Sequence, residues 1–186
     1  LKGDSDVVQT ALAAVTNTGN AKITLDDAHT LSELKAINNA TSGAITLNTK
    51  TVALTGSASD VAAALTGITA YEGNISLNSN HDLSELKTIN NAHTGASLTL
   101  NTKTVALSGS TADIKAAVAG ISSYTGQVNI TDAADVEIQA SDINTIDGSA
   151  TGTIVIDNQI VLKGDSDVVQ TALAAVTNTG NAKITL

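Results

Sequence analysis

Residues 1–25 read LKGDSDVVQTALAAVTNTGNAKITL, and residues 162–186 read the same without one change. Chance does not produce a 25-residue identity. A tandem duplication, or a deliberate span of one period plus an overlap, does, and both make the offset of 161 residues the period of a longer array. A shorter repeat sits inside that period. LSELKAINNA begins at Leu31 and LSELKTINNA at Leu83, and LNTKTVAL occupies residues 47–54 and again 100–107. Leu1, Leu54, Leu107 and Leu162 hold equivalent places, which defines intermediate repeats 1–53, 54–106 and 107–161, with 162–186 opening the next period. Each divides again into related halves, with helices expected to start at Asp6, Ser32, Ser59, Ser84, Ala112, Ser141 and Asp167. Periods of this size belong to solenoids, in which a unit buries its apolar face only by stacking on its neighbours.

One half-repeat shows the grammar. Ser59 is the expected N-cap, and Asp60 places a negative charge at the positive end of the helix dipole. Val61, Ala64, Leu65 and Ile68 recur at helical spacing and mark one buried face. Gly73 punctuates the chain, and Ile75 and Leu77 alternate as in a short strand. The same buried place recurs as Val8, Leu34, Leu86, Ile114, Ile143 and Val169. A glycine precedes the first strand of each coil at Gly19, Gly43, Gly73, Gly95, Gly126, Gly152 and Gly180. Second strands are expected at Val52 and Leu54, Val105 and Leu107, Val136 and Ile138, and Ile160 and Leu162, but only weakly after Leu25 and Leu77.

These signals predict an α/β fold: a right-handed solenoid of strand–turn–strand–helix coils, each about 27 residues, with parallel sheets and about seven helices. It is expected to be one continuous body over residues 1–186. Corresponding strands are expected to pair from coil to coil. The composition agrees. Pro, Cys, Met, Trp and Phe are absent, and Tyr71 and Tyr124 are the only aromatics. A narrow interior repeated coil after coil favours small and branched side chains, and Pro would remove a ladder hydrogen bond.

The same inventory excludes several functions. Without Cys there is no disulfide, thiolate metal site or cysteine nucleophile, and the compartment stays open. A net charge of −9 with two aromatics argues against nucleic-acid binding. No apolar run is long enough to span a membrane.

Candidate chemistry is sparse. His29 and His81 sit at corresponding places before two helices, with Asp26 and Asp82 near in sequence; the expectation is exposed loop positions and no metal. His93 reads as a solvated turn residue. Asp26 and Asp27, and Asp132 with Asp135, carry oxygen ligands of the kind Ca²⁺ takes, but match no EF-hand loop, and exposed turn aspartates are the simpler account. There is no GxSxG elbow and no phosphate-binding glycine loop, so no catalytic, cofactor-binding or metal residue is assigned and the chain is not expected to be an enzyme. Thr24, Thr46, Ser76, Thr99, Asn129 and Val155 fall on outward strand positions. In register they would form a polar ladder resembling ice-binding solenoids, although Thr is a good strand former on any exposed face. The pairs Asn38–Asn39 and Asn90–Asn91 fall at helix ends and read as structural.

The motif SDVAAALTGITAYEG at residues 59–73, varied as ADIKAAVAGISSYTG at residues 112–126, resembles repeats of very large secreted or surface proteins of bacteria, notably aquatic ones. The resemblance implies an extender, adhesin stalk or extracellular filament, located outside the cell or on its surface. The chain is therefore expected to be a non-catalytic segment of a long fibre. It begins and ends inside repeats, so it is expected to continue as a longer array or to self-associate end to end. A surface-binding module, for glycan or ice, is the alternative.

Overall fold

The computed structural model describes residues 1–186 as a mixed α/β protein with seven helices and four parallel sheets, none closed into a barrel. The chain divides into two compact units, residues 1–81 with 88–101, and residues 82–87 with 102–186.

The first unit runs β1 (Lys2–Gly3), α1 (Ser5–Ala13), β2 (Ile23–Leu25), α2 (Leu31–Ala40), β3 (Ile45–Leu47), β4 (Leu54–Gly56), α3 (Ala58–Leu65) and β5 (Ile75–Leu77). α4 (Leu83–Ala92) then leads to β6 (Leu98–Thr99). Two sheets result, in the orders β1-β2-β3 and β4-β5-β6. The second unit runs β7 (Leu107–Gly109), α5 (Thr111–Val118), β8 (Val128–Ile130), β9 (Glu137–Gln139), α6 (Ala140–Ser149), β10 (Ile154–Ile156), β11 (Val161–Lys163), α7 (Ser166–Ala175), β12 (Val176–Asn178) and β13 (Lys183–Thr185). Its sheets are β7-β8-β10-β12 and β9-β11-β13.

Helices of eight to ten residues are marginal alone. They hold here because each lays an apolar stripe on strand residues that point inward. Val8, Leu34, Val61, Leu86, Ile114, Ile143 and Val169 are all buried, as their spacing predicts. Within the strands Ile23 and Leu25 face in while Thr24 lies between them on the outer side, and Val128 and Ile130 flank Asn129 in the same way. Burying one such side chain contributes about 1.5–3 kcal/mol.

Each helix starts one residue before its expected position, and Ser59 is not a cap. The cap of α3 is Ser57, whose hydroxyl accepts from the Asp60 amide at 3.1 Å. Ser110 does the same for Asp113 at 3.2 Å. A cap must reach the amide three residues on, so the acid beside Ser59 occupies the third helical position. α2 and α4 open with reciprocal capping boxes, Thr30 with Glu33 and Asp82 with Glu85.

The second strands also begin later than expected, by one residue at Glu137 and Val161 and by two at Leu54 and Leu107. Pairing starts at Leu54 and Leu107, because the preceding turns give their carbonyls away. Val52 and Val105 accept from the Tyr71 and Tyr124 hydroxyls, and Lys50 and Lys103 accept from the amides of residues 72–73 and 125–126. The coils after Leu25 and Leu77 have no second strand. Corresponding strands pair, as expected, in β2-β3, β5-β6, β8-β10 and β9-β11, and β12 on β10 is a strand the sequence did not predict. In β1-β2, β4-β5, β7-β8 and β11-β13 the strand before a helix pairs instead with a strand after it, with Leu54 opposite Ile75, Leu107 opposite Val128 and Leu162 opposite Ile184.

Glycine is required at Gly73 and Gly126 by close approach. A Cβ there would lie 1.8 Å from the Val52 carbonyl oxygen and 1.9 Å from that of Val105.

Candidate functional site

His29 is buried, against the expectation of an exposed loop, and so is His81. Both belong to interior polar positions that composition alone hides. The Tyr71 hydroxyl donates its one hydrogen to the Val52 carbonyl at 2.8 Å. Its oxygen then accepts from His29 Nε2 at 3.0 Å. The ring is thereby held as the neutral Nε2–H tautomer, and Nδ1 has no hydrogen-bond partner. Burial lowers the His29 pKa from its ordinary value, against the pull of the Asp27 and Glu33 carboxylates. Burial raises both tyrosines, Tyr124 to about 12. His93 is half-buried rather than solvated, with Nε2 3.1 Å from the Gly73 carbonyl; burial lowers its pKa against that bond.

The aspartate turns serve the helices. Asp27 accepts from the Ser5 amide at 2.8 Å, and Asp132 accepts from the amide and hydroxyl of Thr111, each at 2.7 Å. Asp26 faces Lys2 at 3.5 Å and accepts from Asn48 at 2.9 Å; Asp135 pairs with Lys183 at 2.6 Å. No three His, Asp or Glu side chains gather as a ligand group. Asn38 donates to the carbonyls of Ala64 and Thr66 at 2.8 Å each, closing the C-terminal end of α3 from the neighbouring helix.

A second row was not foreseen from the sequence. Lys35 pairs with Asp60, Lys87 with Asp113, and Lys115 with Asp142 at 2.6 Å. Each lysine is the fifth residue of its helix, and each acid lies in the first turn of the next. The Lys35 and Lys87 ammonium groups hold their partner carboxyls below the usual range. The spacing of 25–27 residues between these lysines and acids was the available signal.

The expected polar ladder exists only in pieces. Thr24 pairs with Thr46, Ser76 with Thr99, and Asn129 with Val155, each pair in a different sheet. Lys2, Thr55, Ser108 and Asn178 extend the pieces.

The two identical segments give an internal comparison. Both fold as strand–helix–strand, with Lys2 opposite Thr24 and Lys163 opposite Thr185. Their surroundings differ. Leu1 is 55% exposed, and its counterpart Leu162 1%. Ile184 is 44% exposed and Leu186 78%, while their counterparts Ile23 and Leu25 are at 1% and 0%. Val7 and Val15 are exposed, and their counterparts Val168 and Val176 half-buried. Of the six exposed large apolar residues only Val136 lies outside these segments. The same residues are covered where further strands and helices pack against them. Residues 15–17 carry no strand, whereas the identical residues 176–178 form β12 against β10.

No helix is long and apolar enough to cross a membrane. The chain matches no family model, and no curated protein or solved structure is similar to it.

Proposed function

We propose that the chain is a non-catalytic structural segment of a long repeat array, a right-handed α/β solenoid built into an extracellular or cell-surface fibre. The observation that carries this reading is the identical 25-residue segment, which adopts one strand–helix–strand fold in two places and loses exposed apolar surface wherever a further coil abuts it. Such a unit gains stability from neighbours rather than from a core of its own. The location rests on the resemblance to surface-protein repeats. The polar groups that a site would need are spent on capping and ion pairs: Asp27 and Asp132 hold helix starts, Asp135 holds Lys183, and His29 holds Tyr71. In this reading millimolar Ca²⁺ leaves the melting temperature unchanged.

The test is a set of chains with one, two and three 161-residue periods, viewed by electron microscopy. Rods lengthening in proportion to the number of periods support the reading, and separate globules or clumps overturn it. A second reading, a glycan- or ice-binding face, draws on the outward residues Thr24, Thr46, Thr55, Ser76 and Thr99. Thermal hysteresis or binding on a glycan array would favour it.

A further inference from the structure

We infer that the free edge of β3 is a docking site for an extended peptide, which adds to the sheet as a further parallel strand and sets an acidic group beside Lys50. The inference goes beyond the fibre reading and does not depend on it. β3 lies inside the first unit, with elements of that unit before and after it. It pairs only with β2. The Ile23 amide donates to the Ala44 carbonyl and the Asn48 amide to that of Leu25, so the backbone of Thr46 faces β2 and the backbone groups of Ile45 and Leu47 face the other way. Clefts of about 680 and 160 Å³ lie along that side. Ala44 and Ile45 wall the larger, Thr46, Leu47 and Lys50 the smaller, and Gly67 stands across both.

The second unit shows what such an edge takes. Ile154 of β10 holds the place of Ile45, each two residues after a glycine that packs closely on an earlier carbonyl, Gly152 and Gly43. Beside β10 the edge is filled by β12, parallel, with Val176 opposite Ile154. Val176 follows the buried Val169 by the same seven residues that separate Ile68 from Val61. Residues 68–70 nevertheless form no strand on β3. Gly67 at φ +73° and Ala70 at φ +54° turn the chain out of the extended conformation that a ladder needs. Ile68 is buried, and Lys50 Nζ holds the Thr69 carbonyl at 2.9 Å. The segment that would fill the edge is thus held away from it, and the backbone of another peptide matches what is left open. Charge selects that peptide. Lys50 is the one charged residue lining either cleft, and no acid of the chain forms an ion pair with it. A carboxylate just beyond the end of β3 is its complement. Ala63 and Gly67 on the far wall leave room for short side chains.

The probe is the acetylated, amidated peptide AVTND, the sequence around β12 with an aspartate added, titrated into the wild-type chain and followed by NMR. At millimolar peptide the amide signals of Ile45 and Leu47 should shift, and their hydrogen exchange should slow by about tenfold or more. Methylating the valine and threonine nitrogens of the peptide, one of which must face β3, should abolish both effects. Replacing the aspartate by asparagine should weaken binding about two- to fivefold in the wild type and leave Lys50→Gln unaffected. Ile45 and Leu47 amides already protected before peptide is added, no shift at these residues, or equal binding of the methylated peptide overturns the docking. None of these outcomes touches the fibre reading, which the multi-period rods test separately.

Discussion

His29 Nε2 lies 3.0 Å from the Tyr71 hydroxyl, which in turn donates to the Val52 carbonyl at 2.8 Å, so one buried ring is tied through Tyr71 to a backbone turn distant in sequence. Burial favours the neutral form of His29 in the fold. Its pKa in the fold lies below the ordinary 6.5, so the unfolded chain binds more protons as pH falls through that value. The stability contributed by the neutral ring is present above pH 6.5 and is lost as pH falls toward the lowered folded value. Urea melts between about pH 7.5 and pH 5 should show this loss, and His29→Gln, which can still donate to Tyr71, should reduce it, leaving the part due to His93. Tyr71→Phe strands the His29 donor and the Val52 carbonyl and should cost about 1–3 kcal/mol.

The cap assignment separates two serines two residues apart. Ser57→Ala removes the acceptor for the Asp60 amide and should destabilise by about 1 kcal/mol. Ser59→Ala, inside the first turn, should change stability by less than about 0.5 kcal/mol. Chemical denaturation of the two variants side by side checks this, and equal losses would reassign the cap.

Close packing and backbone strain make different demands on glycine. Gly73→Ala drives a methyl into the Val52 carbonyl, 1.8 Å from the Cβ position, and should cost at least about 2 kcal/mol. Gly67 has φ +73° and open space around it, so Gly67→Ala meets only the left-handed penalty of about 1 kcal/mol. Thermal melts of both variants should rank them in that order.

Much of the local architecture was legible in residue order. The buried stripe from Val8 to Val169 followed from three- and four-residue spacing, and it is a property of each segment by itself. What the spacing missed depends on partners distant in sequence. His29 reads as a loop residue until Tyr71, 42 residues later, is brought over it. Strand pairing of Leu54 with Ile75 joins residues on either side of α3, a partnership that the pattern within either strand does not show. Lys35 and Asp60 look like ordinary surface charges until adjacent helices align them. The polar row of Thr24, Ser76 and Asn129 was placed on the right side of each strand, but the sheets that carry these residues are separate.

Identical residues in different surroundings should carry different weight. Ile23→Ala empties a buried site and should cost about 2–4 kcal/mol. Ile184→Ala, the same residue of the second segment, should cost less than about 1 kcal/mol in this chain, because water already reaches it. Equal costs would mean that the neighbouring coil adds nothing.

The most direct measurement is amide hydrogen exchange in β2 and β13, which lie in the identical stretches 22–25 and 183–186. It should be made on this chain and on one lengthened by a further period. The account predicts strong protection of β2 in both, weak protection of β13 here, and protection of β13 equal to that of β2 once a coil follows it. A β13 that remains unprotected in the longer chain would contradict the claim that each coil is stabilised by the one stacked upon it.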